Sequence, residues 1–281
     1  MGIRILCLGD IVGKAGRHVV SQKLPQLVRE RAIDFVIANA ENIAGGSGIT
    51  PNLFNKIRSY GVDVVTLGDH VYKRVEIVPT LQASERIVRP ANLSRQAAGR
   101  RFTVVTSNSG VTIGIFCILG RVFMNMPSDD PFATADWVLD SLPANVRVCV
   151  CDMHAEASSE KVGMGHHLDG RCSIVFGTHT HIPTADAKVL PGGTAFISDV
   201  GMCGPYDSIL GRRKDKVLKH MTTGMPCPFE MATGDMRMCG MLAEIDPATG
   251  KGVSVERIEV AGGNLDQAYD ADDSRAKTEA E

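Results

Sequence analysis

The chain has no C-x-x-C pair, no apolar stretch long enough to cross a membrane, no long basic run and no complete phosphate loop. Each absence removes a class of protein. Its eight cysteines, Cys7, Cys117, Cys149, Cys151, Cys172, Cys203, Cys227 and Cys239, are scattered, several inside apolar runs such as VRVCVCD and RCSIVF. Without paired spacing they support neither a zinc ribbon nor a thioredoxin-type motif, and they read as small buried hydrophobes. The apolar residues 3–9 are too few, and too soon interrupted by Asp10, for a signal-peptide core. A cytoplasmic protein without disulfides or membrane association is expected. A net charge of −2 argues against stable binding of duplex nucleic acid through its phosphates. The opening ILCLGDIVGKAGR falls short of a Walker A loop: Gly9 to Gly13 is one residue too close, and Ala15 stands where the magnesium-binding hydroxyl belongs.

What is present is a 281-residue chain, 44% hydrophobic and 22% charged, enough for one large core in a single domain. Short β-branched runs end in glycine or polar residues: RILCLGD, DFVIANAEN, VDVVTLGDH, RVCVCDMH, CSIVFGTHTH and TAFISDVG. Between early runs lie helix signals, notably Thr50 and Pro51 as N-cap and first residue of a helix ending on Gly61. This alternation predicts βαβ units and a mainly parallel sheet region. RFTVVTSNSGVTIGIFCILG reads as a hairpin turning at Asn108-Ser109-Gly110, and a second hairpin joins two strands across Asp246 to Gly252. The expected fold is an α/β two-sheet sandwich flanked by helices, spanning 1–260. The acidic segment 261–281 is too poor in large apolar residues to repay its ordering and reads as a tail. No internal repeat or low-complexity linker divides the chain.

The chemistry-bearing residues sit directly after the strand-like runs: Asp10, Glu41-Asn42, Asp69-His70, His154, then His179 and His181. Ends of parallel strands share one edge of a sheet, so these side chains can converge. Carboxylates and imidazoles without thiolates suit zinc, manganese, iron or nickel. Taken singly, each has a plainer reading. Asp10 can cap a helix starting near Gly16, Asn42 can serve a turn, Asp69-His70 can be a buried ion pair, and His154 can be a core histidine. His179-Thr180-His181 is a sharper signal, because two imidazoles two residues apart in a cramped turn repel when protonated. His18, His166, His167 and His220 lack that context and read as surface residues. The Gly45-Gly46-Ser47-Gly48 loop reads equally as a connecting turn or as a place where substrate approaches backbone. Lys14 and Arg17 read as solvated charges rather than anion-steering ones.

GDIVGKAGR, FVIANAENIAGGSGIT, VTLGDHVY, RPAN, GRVFM, CDMHAEASSEK, VFGTHTHIPTAD and ISDVGMCGP together resemble the YmdB-like phosphodiesterases, a branch of the calcineurin-like metallophosphoesterases. The resemblance runs from about Arg4 to about Val260. It implies a metallophosphoesterase sandwich over 1–260, a centre of two transition-metal ions and hydrolysis of cyclic nucleotides, foremost 2′,3′-cyclic AMP. Iron or manganese is implied first, with zinc also compatible. By position, Asp10, Glu41, Asn42 and His181 correspond to ligands of one metal. Glu41, Asp69, His154 and His179 correspond to ligands of the other, with Glu41 as the bridge. His70 corresponds to the family's catalytic histidine, a proton donor to the leaving oxygen. The superfamily's D-x-H at the first strand is missing, as it is throughout this branch. Gly68-Asp69-His70 replaces the family's usual Gly-Asn-His, which puts an anionic oxygen where a neutral one is usual.

Two metal ions lower the pKa of a bridging water and polarise the phosphate, answering the repulsion between an anionic nucleophile and an anionic diester. Two alternatives stay open at this stage: a nucleotide sensor that keeps the site but turns over slowly, and a broader phosphatase or nuclease. A homo-oligomer is compatible with the sequence.

Overall fold

A computed structural model describes residues 2–265. Strands β1 (Ile3–Leu8), β2 (Asp10–Ile11), β3 (Phe35–Asn39), β4 (Val64–Thr66) and β5 (Ile87–Val88) come from the first third of the chain. Strands β6 (Phe102–Thr106), β7 (Thr112–Leu119), β8 (Val148–His154), β9 (Ile174–Thr178), β10 (Lys188–Val189) and β11 (Ala195–Ile197) follow. The last are β12 (Met202–Pro205), β13 (Met236–Ile245) and β14 (Gly252–Gly263). They form two sheets. The first has the order β2-β12-β13-β1-β3-β4-β5, with β14 paired to β13; the second has the order β10-β11-β9-β8-β7-β6. In the first, β1, β3, β4 and β5 run parallel, and in the second β7, β8, β9 and β11 do.

Side-chain alternation along a strand builds three apolar layers at once. In β1, Ile3, Ile5 and Cys7 face the second sheet and meet Ile115, Val150 and Phe176 in the core between the sheets. Leu6 and Leu8 face the other way, onto helices α1 (Gly13–Glu30) and α2 (Pro51–Ser59), through Val20, Leu24 and Ile57. The short α3 (Val78–Ala83) adds Leu81 to that layer. Behind the second sheet, α4 (Pro131–Ser141) and α5 (Ser158–His167) lay Val138 and Met164 against Phe116, Met153 and Val175. Burial on both faces is why the strand sequences read as continuous apolar runs. By contrast α6 (Lys214–Thr223) buries only Val217.

Both hairpins form. Gly110, with φ +83°, closes the β6–β7 turn, and that hairpin extends the second sheet; β13 and β14 form the other. Thr50 caps α2 by accepting from the Leu53 N–H at 3.2 Å. Two expectations change. Helix α1 begins at Gly13, three residues earlier than expected, and its N-cap is Val12, which makes no side-chain cap bond, so Asp10 is not its cap. The last strand continues to Gly263, past the expected boundary at 260, because Ala261 and Gly263 still pair with Arg237 and Met236. Most of the acidic segment, 266–281, lies outside the described residues. All eight cysteines are free thiols, seven of them buried and Cys227 half-buried.

Candidate metal centre

The chemistry-bearing residues converge, and they do so from both sheets rather than along one edge. Asp10 opens β2 just past β1, Glu41-Asn42 follow β3, and Gly68-Asp69-His70 follow β4. From the second sheet come His154, the last residue of β8, and His179 and His181 just beyond β9. The C-terminal ends of the parallel strands thus meet across the sandwich.

Side-chain nitrogen and oxygen atoms of Glu41, Asp69, His154 and His179 that could hold a metal ion all lie within 4.8 Å of one another. His154 Nε2 is 3.1 Å from Asp69 Oδ1, 3.4 Å from Glu41 Oε1 and 3.1 Å from His179 Nδ1. The opposite nitrogen of each ring is already engaged. His154 Nδ1–H donates to Thr178 Oγ1 at 2.8 Å, and that hydroxyl donates to buried Asp152 at 2.6 Å. His179 Nε2 lies 3.3 Å from Glu156 Oε2. With those tautomers, two imidazole lone pairs face each other between two carboxylates. Only a cation satisfies that arrangement: a proton in the metal-free chain, or a metal ion. Gly68 leaves room for it, since a Cβ there would stand 2.2 Å from His154 Nε2 and 2.4 Å from Glu41 Oε2.

The second group is Asp10, Asn42 and His181. His181 Nδ1 donates to the Leu210 carbonyl at 3.2 Å, which turns Nε2 toward the Asn42 amide at 3.2 Å and Asp10 Oδ1 at 4.0 Å. Asp10 Oδ2 also accepts from the His179 backbone N–H at 3.0 Å. His179 and His181 have φ of +94° and +66°, so the turn that presents both imidazoles holds its backbone in the left-handed region. Asp199 pins it: its Oδ2 accepts from Thr180 Oγ1 at 2.7 Å and from the buried Lys161 Nζ at 2.5 Å. His70 Nδ1 sits 2.7 Å from Asn42 Oδ1 and 3.1 Å from Glu41 Oε1.

The electrostatics follow from this crowding. Burial opposes ionisation of Glu41, yet His154 and His70 outweigh it and bring its pKa to about 2. Burial likewise opposes ionisation of Asp69, and hydrogen bonds from His154 and His179 hold it well below the carboxylate range. Burial lowers the His154 pKa, but Glu41 and Asp69 raise it well above the ordinary value. The hydrogen bond to Glu41 raises that of His70. Behind the cluster, burial lifts Asp152 to about 6 despite His154, Thr178 and Thr66.

A family model of YmdB-like proteins matches residues 6–258. The chain belongs to the YmdB-like family. It is 40% identical over 256 residues, 91% of this chain and 96% of the other, to a Bacillus subtilis (strain 168) protein named 2′,3′-cyclic-nucleotide 2′-phosphodiesterase. Solved structures agree in fold. One, of a protein from Thermus thermophilus, gives a TM-score of 0.85 at 38% identity over 92% of this chain and 99% of the other. Another, described as a novel phosphatase from Mycoplasma pneumoniae, gives 0.87 at 31% identity over 96% and 97%. The metallophosphoesterase-like sandwich expected of a YmdB-like chain is therefore the fold observed.

Several single-residue readings change. Arg17 is buried, not solvated, and its Nη1 donates to the Ile43 carbonyl at 2.7 Å. Lys14 and His18 are half-buried in the same helix. His167 is half-buried too, 2.9 Å from Asp136, while His166 and His220 are exposed. Sequence reasoning missed Asp152, Glu156 and Arg212. The first two bracket His154 at two-residue spacing, and a carboxylate inside the apolar VCVCDMH was the available signal for Asp152. Arg212 stands in a loop and carries no such signal. It joins Glu41, Gly46, His70, Glu156, His181 and others in lining a cavity of about 270 Å³ over the cluster. No helix among the described residues is long and apolar enough to cross a membrane.

Proposed function

We propose that the protein is a metal-dependent phosphodiesterase that hydrolyses cyclic nucleotides, 2′,3′-cyclic AMP foremost, using two transition-metal ions, iron or manganese before zinc. The observation that carries this reading is the pair of facing imidazole nitrogens, His154 Nε2 and His179 Nδ1, 3.1 Å apart beside Asp69 and Glu41. Glu41, Asp69, His154 and His179 would hold one ion. Asp10, Asn42 and His181 would hold the other, with Glu41 between them. For Asn42 this requires its amide to turn, since nitrogen rather than oxygen now points toward Asp10 and His181. Bound there, the two ions supply Lewis-acid polarisation of the phosphate and a water acidic enough to act at neutral pH.

The chain's own residues do the rest. Glu41 would hold His70 by Nδ1, and that hydrogen bond raises the pKa of the ring, favouring the protonated form that a general acid needs. Following the Bacillus relative's name, the P–O2′ bond breaks as water oxygen bonds phosphorus. The proton from His70 goes to O2′, leaving a 3′-phosphate, and the proton that the attacking water gives up passes to solvent, from which His70 is reprotonated. Such a proton transfer is worth about a hundred- to ten-thousandfold. Asp152 and Thr178 fix the His154 tautomer, and Glu156 fixes that of His179. Eight free thiols suit the cytoplasm, where we place the enzyme.

The test is metal content per chain together with turnover and product identity on 2′,3′- and 3′,5′-cyclic nucleotides. Two metals and a 3′-nucleotide from 2′,3′-cyclic AMP are expected. One metal or none after reconstitution overturns the dinuclear reading, and tight nucleotide binding without turnover identifies a sensor instead.

A further inference from the structure

Arg212 is the one arginine or lysine among the residues lining the cavity over the cluster. Its guanidinium is held by carbonyls alone: Nη1 donates to Phe229 O at 2.9 Å and Gly45 O at 3.3 Å, and Nη2 to Gly46 O at 3.0 Å. No carboxylate among the described residues pairs with it, and burial is the sole influence on its pKa, pushing it down. Of its five N–H donors, Nε–H and one Nη2–H have no acceptor among the described residues. The guanidinium is only half-buried, so its spare donors are open to an anion that enters the cavity.

The local structure is arranged around that guanidinium. A Cβ on Gly46 would lie 2.5 Å from Nη2 and 2.7 Å from Cζ, so glycine alone lets the guanidinium lie against the loop. Gly46 also has φ +88°. Arg212 ends a tight turn in which Ile209 and Arg212 exchange backbone hydrogen bonds at 2.8 and 2.9 Å. Within it Leu210 holds φ +51°, a left-handed position costly for leucine, and its carbonyl orients His181. One turn therefore aims His181 at the cluster and delivers Arg212 to the same cavity.

We propose that Arg212 binds the substrate's phosphate anion, and that the Gly45-Gly46 carbonyls and the turn ending at Arg212 hold its guanidinium in place for it. The inference deepens the phosphodiesterase reading and rests on it. Among side chains, arginine's planar fork can meet two phosphate oxygens at once, which a lysine cannot do from the same place.

The test uses metal-loaded protein with Arg212→Ala and Arg212→Lys. In both, KM for 2′,3′-cyclic AMP and the inhibition constant of inorganic phosphate should rise about tenfold or more, with metal content at the wild-type level. Added guanidinium ion should partly restore KM in Arg212→Ala and do nothing for Arg212→Lys. Unchanged KM and phosphate inhibition overturn the inference, as does loss of thermal stability or metal with KM intact, which would make Arg212 a loop staple. If the wild type hydrolyses no cyclic nucleotide, the phosphodiesterase reading falls. Direct calorimetric titration of wild type and both variants with inorganic phosphate then still decides Arg212. Equal affinity in all three overturns its role, and weaker binding in both variants supports it.

Discussion

The first sheet delivers carboxylates to the site, Asp10, Glu41 and Asp69, with Asn42 and His70 beside them, whereas the second sheet delivers imidazoles, His154, His179 and His181, with Glu156 behind His179. The close charged contacts between these residues across the two sheets are therefore carboxylate–imidazole pairs: His154 with Glu41, Asp69 and Asp10, His179 with Asp69, His181 with Asp10. The difference teaches that the site is also a joint, in which a bound cation ties an anionic edge to a basic one. Their supports differ as well. Asp152, on the second sheet, reaches across to Asn39 and Thr66 on the first, at 3.0 and 2.5 Å, so a buried polar bridge stands directly behind the cluster.

The sharpest way to break the comparison is to remove Glu41, the residue proposed to lie between the two metals. Glu41→Ala should leave the imidazole edge facing too little negative charge, so that both ions are lost and cyclic-nucleotide turnover falls to the level of chelator-treated protein. Elemental analysis and initial rates read this together. Retention of two metals would show that Glu41 is not between them. His70→Ala is the next largest effect, a loss of about a hundred- to ten-thousandfold in kcat with both metals kept, because His70 touches Glu41 and Asn42 without belonging to the facing ligand set. Loss of metal in that variant would move His70 into the ligand set.

Smaller changes sharpen the contrast between the sheets. Thr178→Val removes the hydroxyl between His154 Nδ1 and Asp152, freeing the ring to change tautomer. Affinity for one of the two metals should drop about 10–100-fold, measured by competition with a chelator. An unchanged affinity would leave the Asp152 chain without a role in ligation. Asp69→Asn takes one charge from the anionic edge and keeps an oxygen at the same reach. We expect a loss of about tenfold in metal retention, roughly 1.4 kcal/mol, and no loss of fold. Wild-type retention in both Asp69→Asn and Asp69→Ala would place Asp69 outside the coordination sphere.

The anionic and basic edges were legible because strand ends announce themselves: an apolar run stops, and a residue with chemistry follows. Asp10, Glu41, Asp69 and His154 all obey that rule. What the run does not reveal is which sheet a strand joins, so a single converging edge was the natural expectation where two edges in fact meet. Asp152 was hidden because its carboxylate lies inside a run, where its partners Asn39, Thr66 and Thr178 come from three other strands. Arg212 was hidden for a different reason. Its place depends on the left-handed turn at Leu210 and on Gly46 lying 166 residues away in sequence, and neither leaves a local pattern. Arg17 misled because a cation in the first turns of a helix usually faces solvent, while here the helix start is packed under the Ile43 carbonyl.

The mildest test of the joint needs no substitution, only metal-free protein and a range of pH. Glu41 titrates near pH 2 when folded against an ordinary 4.5, so its contribution is present above 4.5 and lost as pH falls toward 2. His154 is raised above its ordinary 6.5, so its contribution is complete below 6.5 and lost as pH rises through its folded value. Metal-free protein should therefore be most stable between these limits, with Tm falling by about 2–4 °C for each kcal/mol of the joint lost on the alkaline side. Metal ions compete with protons for the same lone pairs, so the metal-loaded protein should show the opposite trend, gaining Tm as pH rises over that range. Calorimetric melts of both forms at several pH values read the crossing directly. Parallel pH dependence in the two forms would mean that the imidazole and carboxylate edges do not hold the sheets together through the cation they share.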